Sequence, residues 1–432
     1  MAPDPIAGLT FGSELRRRRI EAELSQGELA KRVNYSKSHL SKIEAGVKRP
    51  SDMLAKLCDR ELGASGALME TIQEPTASTQ PEPIDLAEVL ILGTVDGRLD
   101  LTGYPRRTVL AAGATALASW AIIPASDRSG GADAALATFR TTFAELRRLG
   151  QKTDPGIVGQ VLIASTNALV GLANGTPPAT RRAALRLASR YAEYTGWMAQ
   201  EKGNNDAARW WTNHAVELAN QGGDRELASY ALVRHAELAM YDDDSITVIG
   251  LARQVQRNPG SSRVHSFAAQ REAQGHAMAH NERDSRRALE RAAEWMVRAA
   301  REEPAEPALG SVNMTDPVAF ATGWCLHDLG QLEHASDILA RELDGLPVAA
   351  HRARARYGAR LALSLAGAGE IDQACAVADP VLARIGAIDS ATIRQDLKQL
   401  RRTLTRWHSH GPVRQIMPRL TEALRTNTNG YA

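Results

Sequence analysis

The feature that most constrains this chain is a spacing of small residues. Gly196, Gly203 and Ala208 fall at offsets of 0, 7 and 12; Gly323, Gly330 and Ala335 repeat them, and so do Ala362, Gly369 and Ala374. Small side chains let two helices approach closely, and glycine turns the chain between them. From about Ala132 to Thr428 the sequence is a series of helix-sized, Ala/Leu-rich segments, broken by NGTPP, GGD, NPGSS and EEPAEP. We count about 14 such segments, enough for seven helix pairs. Aromatics make up only 5% of the chain, which favours helix over strand. The repeats are irregular: Gly330 and Gly369 are 39 apart, and the stretch from Tyr230 to Arg301 matches the spacing poorly.

A chain of 432 residues has room for two or three domains. Residues 71–85, TIQEPTASTQPEPID, carry three prolines among polar residues and read as a linker. Residues 86–126 are ambiguous. They contain Tyr104-Pro-Arg-Arg-Thr-Val-Leu and then an uncharged run from Thr108 to Ser126, which looks like a twin-arginine export signal. Such signals act at the N-terminus, and this run is short and rich in Ala and Gly, so no stable membrane association is expected. The plainer reading is a helix packed on the next domain or on a second subunit. The formal charge is +2, but residues 11–60 hold 12 Lys/Arg against 7 Asp/Glu. A small basic domain beside a large, weakly acidic one points to nucleic acid.

Residues 24–50 read LSQGELAKRVNYSKSHLSKIEAGVKRP. Helical periodicity puts Leu29, Ala30 and Val33 on one inner face and Leu40 and Ile43 on another. Ser25 and Glu28 suit a capping box, Asn34 a tight turn, Ser36 a second cap and Gly46 a helix end. The LSQ-x-ELA opening, the S-x-x-x-LSKIE helix and the G-x-x-RPS exit closely resemble the phage-repressor-like (XRE-type) helix-turn-helix family over roughly residues 11–68. That resemblance implies a second helix in the major groove, with Ser36, Lys37, Ser38 and Lys42 at base edges. Gln26 matches a family glutamine that touches DNA and braces the reading helix. Phosphate contacts would come from Arg16, Arg17, Ser25, Lys48 and Arg49. Arg16 to Arg19 also fit a solvated face. Arg19 matches an arginine that pairs internally with the glutamate found here as Glu44. His39 is open between phosphate contact and bystander. One such module binds weakly, so a homodimer on a palindromic double-stranded operator is expected.

The repeat spacing resembles the tetratricopeptide repeat, in degenerate form. That resemblance implies a right-handed superhelix with a concave inner face. There the residue after the first glycine faces the groove, which selects Trp197 and Trp324. Glu193 and Phe320 lie one turn earlier, and Arg190 and Arg356 earlier still. Aromatics with Arg and Glu suit a ligand groove for a peptide or small molecule. Packing between consecutive helix pairs is the alternative role of these tryptophans. Trp210-Trp211 reads as core and interface, and Asp242–Asp244 as a turn before a helix.

No cofactor is implied, and no metal: His276 and His280 alone seldom suffice. No GxSxG, Walker loop or GxGxxG is present, so no enzyme is expected. Cys58, Cys325 and Cys375 lie far apart and form no CxxC pair, which suits a cytoplasmic, nucleoid-associated protein. The expected fold is all-α: a helix-turn-helix domain over 9–70, a linker and apolar connecting segment over 71–131, and a tetratricopeptide-like solenoid over 132–428. The combination resembles peptide-responsive quorum-sensing regulators of Gram-positive bacteria, and regulators common in high-GC actinobacteria. It implies a DNA-binding transcription regulator whose repeat domain dimerises and senses a signal. The alternative is a regulator whose repeats form a protein-interaction scaffold without a soluble ligand.

Overall fold

The computed structural model describes residues 11–22, 24–33, 37–45, 50, 52–64, 66–71, 88–95, 98–105, 128–302, 307–310, 314 and 316–425. The chain divides into two compact units, Met1–Asp85 and Leu86–Ala432. In the first, α1 (Phe11–Glu21), α2 (Gln26–Arg32), α3 (Lys37–Glu44), α4 (Asp52–Glu61) and the short α5 (Ala67–Glu70) share one core. Leu29, Ala30, Val33, Leu40 and Ile43 are buried there with Phe11, Leu15, Leu54 and Cys58. The apolar positions alternate at helical spacing because each short helix has only one face to bury. The α2 start is a capping box: Ser25 Oγ accepts from the Glu28 amide at 3.2 Å, and Glu28 Oε2 accepts from the Ser25 amide at 2.8 Å. Gly12 lets α1 cross the end of α3; a Cβ there would lie 2.2 Å from the Ile43 carbonyl oxygen. Asn34, Ser36 and Gly46 lie outside the described residues.

The second unit begins with the one element that helical periodicity did not suggest. β1 (Glu88–Val95) and β2 (Arg98–Pro105) pair antiparallel, from Glu88 opposite Pro105 to Val95 opposite Arg98. The sequence EVLILGTV is rich in strand-forming residues, and Asp-Gly is a sequence pair that favours a two-residue link between antiparallel strands; Asp96 and Gly97 themselves lie outside the described residues. The twin-arginine-like run after Pro105 lies outside the described residues.

Fourteen helices follow among the described residues. They are α6 (Arg128–Leu149), α7 (Pro155–Ala173), α8 (Pro178–Lys202), α9 (Asn205–Gly222), α10 (Arg225–Tyr241), α11 (Ser245–Arg257) and α12 (Ser262–Met278). Then come α13 (Glu282–Ala299), α14 (Pro317–Asp328), α15 (Leu332–Asp344), α16 (His351–Ala368), α17 (Ile371–Ile388), α18 (Ala391–Leu404) and α19 (Gly411–Arg425). Successive helices pack in pairs, and the region is helical and repeat-like throughout. Gly203, Gly330 and Gly369 turn the chain at φ 89°, 80° and 90°. The same geometry continues through the middle units, where glycine is replaced. Asp243 (φ 59°) and His280 (φ 54°) hold the left-handed turn, seven residues after buried Ala236 and Ala273 and five before buried Val248 and Ser285. Asp and His tolerate this backbone better than most non-glycine residues. Side-chain caps start many of the helices: Asp154, Asn204, Asp224, Asp244, Ser261, Asn281, Asp316 and Ser390 each accept a first-turn amide. Among the described residues one helix, α7, is long and apolar enough to cross a membrane; its Val158, Leu162, Leu169 and Ala173 are buried in the helical core.

A plain stack of repeats touches only nearest neighbours. This one closes on itself. Arg352 of α16, 2% exposed, donates to the Gly150 and Thr153 carbonyls between α6 and α7, each at 2.8 Å. It also donates to Glu201 of α8 at 2.8 Å and to the Ile388 carbonyl at 2.9 Å. Glu201 in turn accepts from Ser390 (2.6 Å) and Thr392 (2.8 Å) at the start of α18. Burial alone would raise the Glu201 carboxyl; Arg352, Arg356 and the two hydroxyls reverse that and hold it below its ordinary value. Beside it, Lys202 bridges Asp154 at 2.8 Å and Asp389 at 2.6 Å.

Removing one partner of a buried pair strands the other charge. Arg352→Met, which keeps the stem, is expected to destabilise the chain by about 3 kcal/mol. A urea-unfolding midpoint equal to wild type would contradict this account of the closure.

Candidate functional sites: a braced helix and a cavity in the helical region

The α3 helix is fixed from behind by one carboxylate. Arg19 Nε and NH2 donate to Glu44 Oε1 and Oε2 at 2.5 and 2.9 Å, and Arg19 NH1 donates to the Leu24 carbonyl at 2.7 Å. Gln26 Nε2 donates to Glu44 Oε2 at 2.8 Å. Burial would raise Glu44, but the bonds from Arg19 and Gln26 carry it below the usual carboxylate range. Arg19 is thus an internal partner. Gln26 braces α3 with one amide hydrogen, and its carbonyl oxygen is not used in that bond.

The other expected contacts are distributed as follows. Lys37, Ser38 and Lys42 belong to α3. Ser36, Lys48 and Arg49 lie outside the described residues. Arg16 and Ser25 are exposed. Arg17 is engaged on its own helix by Glu14, at 2.8 Å, and by Glu21. The Arg17 bond holds the Glu14 carboxyl at about 2 against the opposing effect of burial, with help from Arg18. A phosphate at Arg17 therefore competes with two local acids.

In the second unit, the first helices of five successive pairs converge on a cavity of about 160 Å³. Glu193, Tyr194 and Trp197 reach it from α8, and Tyr230, Arg234 and Glu237 from α10. Phe267, Gln270, Arg271 and Gln274 come from α12, Phe320 and Trp324 from α14, and Arg352, Arg356 and Tyr357 from α16. Arg147 of α6 also lines it, donating to the Ala308 carbonyl at 2.9 Å and to that of Gly310.

Five of the six residues expected in a groove, Glu193, Trp197, Phe320, Trp324 and Arg356, line this one cavity. Arg190 does not. It is 5% exposed and its NH2 lies 2.8 Å from Asp224 Oδ2, captured by the residue that caps α10. The two tryptophans also pack. Trp197 stacks on Tyr194 with centroids 5.4 Å apart. Trp324 carries the Arg360 guanidinium at 3.7 Å on its ring and joins a buried cluster with Ala236, Ala239 and Met240 of α10.

The cavity is rich in cations. Arg147, Arg234, Arg271, Arg352 and Arg356 line it, against Glu193 and Glu237. Arg234 pairs with Glu237 at 2.5 Å and donates to Gln200 at 2.7 Å. Burial would raise Glu237, but Arg234, Arg271 and Arg356 outweigh it and hold the carboxyl at about 2. Glu193 goes the other way: burial pushes it up, and the nearby arginines offset this only in part. Several buried polar atoms on the wall have no hydrogen-bond partner, namely Gln151 Oε1, Arg234 Nε, Arg271 Nε, Gln274 Oε1 and Arg356 Nε.

Sequence reasoning missed Arg147, Arg234, Glu237, Arg271, Gln274 and Arg352. A usable signal existed for two of them. Accepting Asp243 and His280 in the glycine position extends the spacing to Ala236 and Ala273, and the residues that follow, Glu237 and Gln274, are the counterparts of Trp197 and Trp324. Elsewhere, His276 and His280 are not brought together for a common purpose: His276 Nε2 meets Arg253 at 3.1 Å, while His280 holds a turn. Trp211 is core, and Trp210, 38% exposed, stacks on His214.

Comparison with known proteins bears on the first unit. Residues 10–72 match a family of helix-turn-helix domains. No curated protein and no solved structure matches the chain significantly. The N-terminal unit is therefore a helix-turn-helix domain of a type that binds DNA, and the helical region stands on its own geometry.

His327 and His235 give the region a pH dependence. Burial, then Arg360, pushes His327 down to about 3; burial, then Arg234 and Arg209, pushes His235 to about 4. The unfolded chain protonates both near pH 6.5, so the stability they leave intact above that pH is lost as it falls towards 4. Each costs at most about 1.4 kcal/mol per pH unit in that window. His327→Gln is expected to lose less stability than wild type between pH 7 and 5 in thermal unfolding. Identical losses would exclude this histidine as a source.

Proposed function

We propose that this chain is a site-specific transcription regulator that binds double-stranded DNA as a homodimer and senses a soluble signal in its helical array. The DNA side rests on the helix-turn-helix match over residues 10–72 and on the Arg19–Glu44–Gln26 brace behind α3. In this reading Ser36, Lys37, Ser38 and Lys42 meet base edges, with Gln26 beside them. Arg16, Arg17, Ser25, Lys48 and Arg49 meet phosphates. The array is read as degenerate tetratricopeptide repeats that also supply the dimer contact. A two-fold dimer would match a palindromic operator, with half-sites about one helical turn apart. Such a protein works in the cytoplasm on the nucleoid.

The observation that favours a sensed ligand over a protein-interaction scaffold is the convergence of five inner helices. A scaffold spreads its polar contacts along a groove; here one cavity gathers Trp197, Trp324 and several polar atoms without hydrogen-bond partners. A peptide or a small molecule binding there would shift the array between two arrangements and so alter the placement of the two DNA-reading heads.

The experiment is a genome-wide selection of DNA fragments by the purified full chain, beside a Lys37→Ala, Lys42→Ala double variant. Recovery of a palindromic site by wild type and its loss in the variant are expected. Equal, salt-sensitive binding of all fragments by both proteins would contradict site-specific recognition by α3.

A further inference from the structure

Building on the sensing role above, we propose that the cavity binds an anionic aromatic small molecule, its acid group held by Arg271 and its ring lodged among Trp197, Phe320 and Trp324. Size sets the first limit. The volume of about 160 Å³ is close to that of a cavity known to admit a single benzene ring, about 150 Å³. That is room for one ring with a short arm.

Charge sets the second. Arg352 is neutralised by Glu201, and Arg234 by Glu237. Arg147 is committed to backbone carbonyls. Arg356 lies over the Trp324 and Tyr241 rings, 3.6 Å from Glu237 and 3.8 Å from Glu201. Arg271 alone among the five has neither an ion pair nor a hydrogen bond among the described residues, and its Nε is buried. Arg271 shares the single Glu237 charge with Arg234 and Arg356, which leaves a cationic excess on this wall, and an oxyanion placed against the Arg271 donor fork offsets that excess.

The unpartnered atoms set the third. Arg234, Arg271 and Arg356 come from three different helices, yet all three line this one cavity, and the Nε of each is buried without a hydrogen-bond partner. Gln151 Oε1 and Gln274 Oε1, the latter on a side chain only 3% exposed, are acceptors without donors. The ligand that satisfies this set has an oxyanion at one end and an O–H or N–H donor on its ring. Glu193 lies 3.6 Å from Arg234 Nε, and that cation offsets its repulsion of an acid.

The test uses the full chain and three probes that differ only at the arm: 4-hydroxyphenylacetate, its neutral amide and tyramine. Binding is read by calorimetry and by tryptophan fluorescence. The acid is expected to bind at least about tenfold more tightly than the amide or the amine, the scale of one charge-assisted bond. In Arg271→Gln that preference should fall below about threefold, while the unfolding midpoint stays at the wild-type value. Equal binding of acid and amide, no binding of the acid, or a preference that survives in Arg271→Gln would each overturn the proposal. A bound acid that leaves the affinity for the selected DNA unchanged would contradict the sensing role and leave the ligand class standing. A ligand effect on DNA without preference for the acid would do the reverse.

Discussion

One buried ion pair determines what the helical array can be. Arg352 and Glu201 are 151 residues apart in sequence and 2.8 Å apart in space. Around them gather the turn between α6 and α7, the end of α8, the end of α17 and the start of α18. Without this join the pairs would be a ribbon with one exposed inner face. With it, that face becomes the wall of a cavity. The geometry needed is strict, because both charges are withdrawn from water and each remaining donor or acceptor must be met. Arg352 meets the requirement with three backbone carbonyls besides Glu201, and Glu201 with two hydroxyls.

The cavity wall follows from the same closure. Once the inner faces look at one another, five arginines share one cavity. Glu237 and Glu201 neutralise Arg234 and Arg352, carbonyls hold Arg147, aromatic faces hold Arg356, and Arg271 is left over. The helix-turn-helix unit uses a related device on a smaller scale. There one carboxylate, Glu44, ties three helices through Arg19 and Gln26 and sets the orientation of α3.

Much of this was legible in the sequence where local rules govern. The capping box at Ser25 and Glu28, the buried Leu29, Val33, Leu40 and Ile43, and the glycine turns at 203, 330 and 369 all follow from spacing. Trp197 and Trp324 could be placed together because each follows a small residue in the same frame. The frame disappeared between Tyr230 and Arg301 because Asp243 and His280 hold a left-handed turn that glycine marks elsewhere. Arg190 was misplaced because its partner, Asp224, belongs to the next helix pair. Arg352 could not be found at all: its role depends on groups 36 to 202 residues away, and no periodicity encodes such contacts. The hairpin from Glu88 to Pro105 was obscured by the apolar run that follows it.

The claim that the array closes on itself is tested most directly by native-state hydrogen exchange on the wild-type chain. In a closed array, the amides of α8 near Glu201 and of α18 near Ile393 should open in one cooperative event, with a common free energy and denaturant dependence. In an open stack, α8 and α18 would exchange independently, each tracking only its immediate neighbours, and that result would contradict the closure on which the cavity depends.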